Sequence, residues 1–159
     1  MPMSICAWGR PLAVLERHGR DAAMLGLRLL LAWEFWEAGL GKLGGDNWFA
    51  AIQGGFPFPF NLLPADWSWA LATWTELVAA LMLASGLATR FGSLALIVLT
   101  VVAWASVHAG NGYNICDNGW KLPLIYLAML LPLLFGGAGG LSLDRLLARR
   151  VFRCRPAAA

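Results

Sequence analysis

The chain has 159 residues, of which 59% are hydrophobic and only 13% carry a charge, whereas a soluble domain of this length carries about 25% charged residues. This composition argues against a water-soluble domain and predicts a single membrane domain over residues 1–159. The net charge of +3 is modest, and the basic residues are not interleaved with aromatic ones, so nucleic-acid binding is not expected.

Four segments are long and apolar enough to be predicted as membrane spans, each of which needs roughly 20 mostly apolar residues. They cover about residues 22–43, 68–88, 92–109 and 121–138. Only a few residues separate the second segment from the third, so these two should form a tight antiparallel hairpin. The predicted fold is therefore an all-α membrane protein, a four-transmembrane-helix antiparallel bundle.

The basic residues are distributed unevenly between the two ends of the predicted bundle. One end carries most of the arginines, including those of a basic tail over 141–159, whereas the other end carries Lys42 and Lys121. Because positive residues stay in the cytoplasm, we expect a multi-pass protein of the bacterial inner (plasma) membrane with both termini cytoplasmic. The lipid bilayer is then its first partner.

The predicted outer loop, 44–67, has a pattern of its own. Asp46 is placed to cap a short helix over 47–53. The following sequence GGFPFPF alternates phenylalanine with proline and cannot continue a helix. We expect a short interfacial helix and a lid. The sequence leaves open whether this loop only covers the bundle, gates a ligand cavity or docks a partner.

Charged residues inside the first two predicted spans raise the main functional question. They are Arg28, Glu34, Glu37, Lys42 and Glu76. A charge at mid-membrane costs at least about 2.5–3.5 kcal/mol, so such residues are expected to be paired or used. One interpretation is an ion pair of Arg28 with Glu76 or Glu34 that fixes helix packing. The other, which we favour because three acids outnumber one nearby arginine, is a polar pocket in the outer half that binds a small polar ligand, a quinone head group or protons.

His108 lies near the outer end of the third predicted span, where it would hydrogen-bond or handle protons at the mouth of the pocket. Its spacing to Cys116 and Asp117 matches no strong metal-binding pattern, so no metal site is predicted. The chain also carries no catalytic triad or phosphate-binding motif, and no catalytic residue is predicted. We therefore do not expect the chain to have an enzymatic activity on its own.

Four sequence motifs occur in a recognisable order. The first span reads LRLLLAWEFWEAGLGKL, the outer loop contains GGFPFPF, the second span and its turn read TELVAALMLASGLATRFGSLAL, and the fourth span ends in LLFGGAGGLSLD. In this order they resemble the DoxX family of small four-helix membrane proteins, over about residues 22–147. The positions that carry over are Arg28, Lys42, Glu76 and Arg90, with Ser142 and Asp144 in the closing motif.

The resemblance implies a function in redox or stress response. One relative is the membrane subunit of a thiosulfate:quinone oxidoreductase, and others accompany detoxification enzymes or small metal-binding peptides. The expected role is an accessory or membrane-anchor subunit with a soluble or membrane redox partner. A quinone is the implied ligand, no covalently bound cofactor is expected, and glycine-rich contacts leave room for a homo-oligomer. The alternative is a small permease or proton-coupled carrier that uses the intramembrane carboxylates.

Overall fold

The computed structural model describes the backbone of residues 9–153 and the side chains of residues 18–150. Within these limits the fold is all-helical, and its α-helices are joined by short helical turns and loops. The helices are α1 (Gly9–Gly44), α2 (Phe49–Ile52), α3 (Ala65–Ser85), α4 (Thr89–Ala103), α5 (Lys121–Gly136) and α6 (Leu143–Arg153).

Two of the predicted spans correspond to helices that meet both the length and the hydropathy of a membrane span. They are Ala65–Ser85, which is α3, and Thr89–His108, which is α4 with its π-helical continuation Trp104–His108. α5 is apolar but has only 16 residues. α1 is long enough, at 36 residues, but the charged residues identified above lower the hydropathy of its second half.

The core lies where α1, α3, α4 and α5 meet. Its buried apolar side chains are Leu31, Ala32, Phe35, Ala79, Ala80, Leu83, Leu96, Leu130 and Leu133. Small residues let the helices approach closely: a Cβ atom at Gly39 of α1 would lie 2.8 Å from the side chain of Leu77 on α3. This use of a small residue at a contact is typical of helix pairs in membranes.

The predicted tight hairpin is present between α3 and α4, which are separated by three residues, 86–88. Gly86 ends α3 in the left-handed conformation with φ of 70°. The backbone N–H groups of Gly86 and Leu87 both donate to the carbonyl of Met82. This pattern is the usual glycine-terminated helix end, and it turns the chain directly into α4.

The expectation that Asp46 caps the loop helix is wrong. Asp46 is exposed, and the Oδ1 of Asn47 accepts the N–H of Phe49 at 3.0 Å instead. The Nδ2 of Asn47 also donates to Asp66 at the start of α3, at 2.7 Å. An asparagine supplies both a donor and an acceptor, so it can close the turn and attach the loop to α3 at once. The helix, Phe49–Ile52, is shorter than predicted.

An aromatic cluster holds the loop against the bundle. The ring of Phe49 lies 4.9 Å from that of Trp48, 5.3 Å from Phe56 and 5.0 Å from Trp69 of α3, with edge-to-face geometry. Edge-to-face pairs contribute about 0.5–1.5 kcal/mol each beyond the area that they bury. The first part of the loop is therefore packed on α3.

Candidate functional site

A buried ion pair connects the end of α1 to the middle of α3. The ammonium of Lys42 lies 2.8 Å from both carboxylate oxygens of Glu76. The side chain of Glu76 is 4% exposed and that of Lys42 is 18% exposed. Two charges are thus held in an apolar bundle where each neutralises the other, and the pair is a fixed dipole rather than a free charge.

A large cavity of about 730 Å³ lies beside this pair, between α3, α4 and the loop that precedes α3. Most of its wall is apolar, with Phe56 from the loop, Leu71 from α3, and Leu94 and Val98 from α4. Ligand cavities of this kind typically measure about 300–1,000 Å³ and combine apolar walls with a few polar groups. The polar residues of the wall are Lys42, Ser68, Thr75, Glu76, Ser106, His108 and Asn118.

Ser68 is a polar group of the cavity without a protein partner. Its Oγ is fully buried and makes no hydrogen bond with any part of the chain that the structure describes. A buried hydroxyl without a partner costs free energy. The hydroxyl of Ser68 is therefore a hydrogen-bonding group beside the cavity that the described part of the chain does not use.

His108 ends the π-helical turn and lies at the same cavity. Its Nδ1 lies 2.7 Å from the carbonyl oxygen of Asn118. A carbonyl can only accept, so Nδ1 carries the hydrogen, and the neutral imidazole then presents Nε2 as an acceptor. Short π-helical turns of this kind occur frequently at functional sites.

The predicted grouping of three acids is not what the structure shows, because only Glu76 lines the cavity. Glu34 is half-buried and accepts a hydrogen bond of 2.6 Å from the hydroxyl of Tyr126 on α5. Glu37 is exposed. Equal depth along two helices brings two side chains together only if both face the same neighbour, and Glu34 faces α5 rather than the cavity.

Arg28 forms neither of the two predicted ion pairs. Its guanidinium, with the residue only 1% exposed, donates to four backbone carbonyls, those of Leu83, Ala84, Ala138 and Leu141, at 2.7–3.1 Å. The last carbonyls of a helix have no partner within it and carry partial negative charge. Arg28 supplies the missing donors at the end of α3 and in the connection after α5.

The three remaining motif residues meet at this same end of the bundle. The guanidinium of Arg90 donates to the carbonyl of Phe135 at 3.3 Å. Ser142 caps α6 by accepting the N–H of Arg145 at 3.3 Å. Asp144 accepts the N–H of Ala88 at 3.0 Å. These contacts fasten the α3–α4 turn to the connection between α5 and α6 and lie away from the ion pair.

Sequence reasoning missed Ser68, Asn118 and Tyr126. Ser68 and Asn118 are common polar residues near helix ends, and nothing in the sequence distinguishes them from solvated positions. Tyr126 could have been found from the sequence, since a phenol inside an apolar segment needs a hydrogen-bond partner and Glu34 of the first predicted span is a possible acceptor.

The described part of the chain is all-helical, and two of its helices are long and apolar enough to span a membrane. The DoxX family model matches residues 23–109, more than half of the chain. The chain is also 55% identical over 135 residues to an uncharacterized protein of Haemophilus influenzae, covering 85% of this chain and 89% of the relative. No solved structure matches it. The chain belongs to the DoxX family.

Proposed function

We propose that this protein is an accessory or membrane-anchor subunit of a redox or stress-response system and that its cavity binds a quinone-type ligand. In this proposal it crosses the bacterial inner membrane four times, with α1, α3, α4 and α5, and both termini are cytoplasmic. The loop before α3 is then the lid of the cavity on the outer side. The excess of arginine at the end opposite Lys42 supports this orientation.

The observation that carries the proposal is the combination of the buried Lys42–Glu76 pair with the large apolar cavity beside it. A quinone has two carbonyl acceptors on a planar ring and a long apolar tail. The ammonium of Lys42 and the hydroxyl of Ser68 are donors for the carbonyls, and the Nε2 of His108 is an acceptor for the hydroxyl of a reduced quinol.

The apolar part of the cavity fits the tail of such a ligand. Leu94 and Val98 line the cavity along α4 and are also among the exposed residues. A tail that follows them would lead from the polar groups toward the lipid. Quinone reduction also needs an electron donor, which the proposal assigns to a partner protein.

The test is the quinone content of the full-length protein purified in mild detergent. Organic extraction and chromatography should recover quinone at a substantial fraction of one per chain, and the Glu76→Gln variant should retain less. An exposed acid on α1, Glu37, provides the matched control, because Glu37→Gln should retain as much as the wild type. Absence of quinone, together with ion or solute flux in proteoliposomes, would favour the carrier alternative and overturn the proposal.

A further inference from the structure

A second cavity of about 730 Å³ lies at the end of the bundle where α3 turns into α4. Its wall includes three arginines from three different helices, Arg20, Arg90 and Arg145, and the glycine-rich segment 136–140. It shares none of the polar groups of the cavity beside Lys42, and the function proposed above does not use it.

The two acids in this cavity are already engaged by the protein. One oxygen of Asp21 accepts the N–H of Gly140 at 2.7 Å, and the other lies 3.8 Å from the guanidinium of Arg145. Asp144 accepts the N–H of Ala88. Since the wall carries three positive and two negative side chains, it has a net positive charge, and the carboxylates are turned toward backbone donors.

The arginines, by contrast, keep unused donors. Arg20 is exposed and makes no hydrogen bond or ion pair with the described side chains or backbone. Arg90 is exposed and uses one donor, to the carbonyl of Phe135. A guanidinium has five N–H donors in a fork that matches two oxygens of a phosphate. Arg20 and Arg90 therefore both bring unused donors to the wall of this cavity.

The position of the cavity indicates which kind of anion it would bind. It lies beside the turn that joins the two candidate spans, Ala65–Ser85 and Thr89–His108, which in the four-span arrangement proposed above is the level of lipid head groups. Phe91 lines it and is 69% exposed. An acyl chain can pack on this ring while a phosphate reaches the arginines. We propose that the cavity binds the phosphate of an anionic lipid head group.

The experiment uses the full-length protein, delipidated in detergent and titrated with phosphatidylglycerol or with zwitterionic phosphatidylcholine, with bound lipid counted by native mass spectrometry. We expect phosphatidylglycerol to be retained preferentially. Arg20→Gln and Arg90→Gln should each lower its retention about fivefold, the contribution of one basic residue at an anionic membrane surface. The control is Arg149→Gln with Arg150→Gln on α6, which removes two exposed charges outside the cavity and should leave retention unchanged.

If Arg90→Gln does not fold, Arg20→Gln alone still tests the proposal, because Arg20 has no hydrogen bond or ion pair to lose among the residues that the structure describes. If millimolar inorganic phosphate displaces the lipid, the cavity binds phosphate, but its ligand is a soluble phosphate and the lipid proposal is overturned. Equal retention of the two lipids with no effect of inorganic phosphate would overturn the proposal. An equal loss in the cavity variants and the α6 control would overturn it as well.

Discussion

The ammonium of Lys42 contacts both carboxylate oxygens of Glu76 at 2.8 Å, and this pair is the polar connection between α1 and α3 beside the cavity. Glu76→Gln would leave the ammonium without its counter-charge. Because an unpaired buried group costs about 1–3 kcal/mol and more when charged, we expect a lower thermal unfolding midpoint for the purified variant. The exposed residue Glu37 supplies the control, Glu37→Gln, which should melt like the wild type.

A double variant distinguishes the contribution of the ion pair to stability from the contributions of Lys42 and Glu76 individually. With both Lys42 and Glu76 replaced by methionine, no charge is left unpaired, and the unfolding midpoint should recover most of what either single variant loses. The thermal unfolding midpoints of Lys42→Met, Glu76→Met and the double variant are compared with that of the wild type in a double-mutant cycle. If the losses simply add, the pair is not coupled and the interpretation is wrong.

Arg28 should be the least replaceable side chain of the molecule. Arg28→Lys keeps the charge but cannot present donors in the directions of four carbonyls on two segments. Loss of two charge-assisted hydrogen bonds at about 1.5 kcal/mol each gives a destabilisation of about 3 kcal/mol. Thermal melting of the purified variant measures it, and Arg149→Lys on the exposed face of α6 is the control. A wild-type midpoint for Arg28→Lys would show that the carbonyl contacts are dispensable.

Gly86 is placed directly against Arg28. Its φ is 70°, and a Cβ atom there would lie 2.6 Å from the Nη2 of Arg28 and 2.8 Å from the Cβ of Ser142. Gly86→Ala should therefore lower both the yield of folded protein and its thermal midpoint. Gly26→Ala on α1 meets nothing within 4 Å, and it should be neutral or stabilising by about 0.5–1 kcal/mol. Equal behaviour of the two variants in size-exclusion and melting profiles would contradict this assignment.

The hydroxyl of Tyr126 should stabilise the contact between α5 and α1. Tyr126→Phe removes only the 2.6 Å hydrogen bond to Glu34 and should cost about 1.5–3 kcal/mol, as for other bonds to a charged group. Tyr113→Phe is the matched control, because that ring packs on Trp120 and needs no hydroxyl to do so. A chemical-denaturation series in detergent measures both variants, and a loss confined to Tyr113→Phe would refute the assignment.

The sequence was sufficient to predict α3, α4 and the turn between them. Apolar length located α3 and α4, and the short gap between the two apolar segments predicted the turn between them, because these signals are local. Asp46 failed as a cap because its neighbour Asn47 can donate as well as accept. That choice depends on Asp66, which is distant in the sequence but adjacent in the fold.

The candidate site was predictable only in part. Lys42, Glu76 and Glu34 have side-chain partners in the structure, whereas Glu37 is exposed and the acids predicted to pair with Arg28 do not contact it. Depth along a helix follows from residue counting, whereas the neighbour that a side chain faces depends on how the helices pack. A rule that matches buried arginines to acids overlooks backbone carbonyls at helix ends, which bind Arg28 here.

The most direct test of a quinone-binding cavity is to fill it. Ala72 of α3 lines the cavity, whereas Ala70, two residues earlier on the same helix, is exposed and does not. Equilibrium binding of decylubiquinone, followed by tryptophan fluorescence, is measured for the wild type and for Ala72→Phe and Ala70→Phe. We expect Ala72→Phe to weaken binding at least about tenfold, equivalent to about 1.4 kcal/mol, and Ala70→Phe to bind like the wild type. Undiminished binding by a correctly folded Ala72→Phe variant, or no binding by the wild type, would contradict the account.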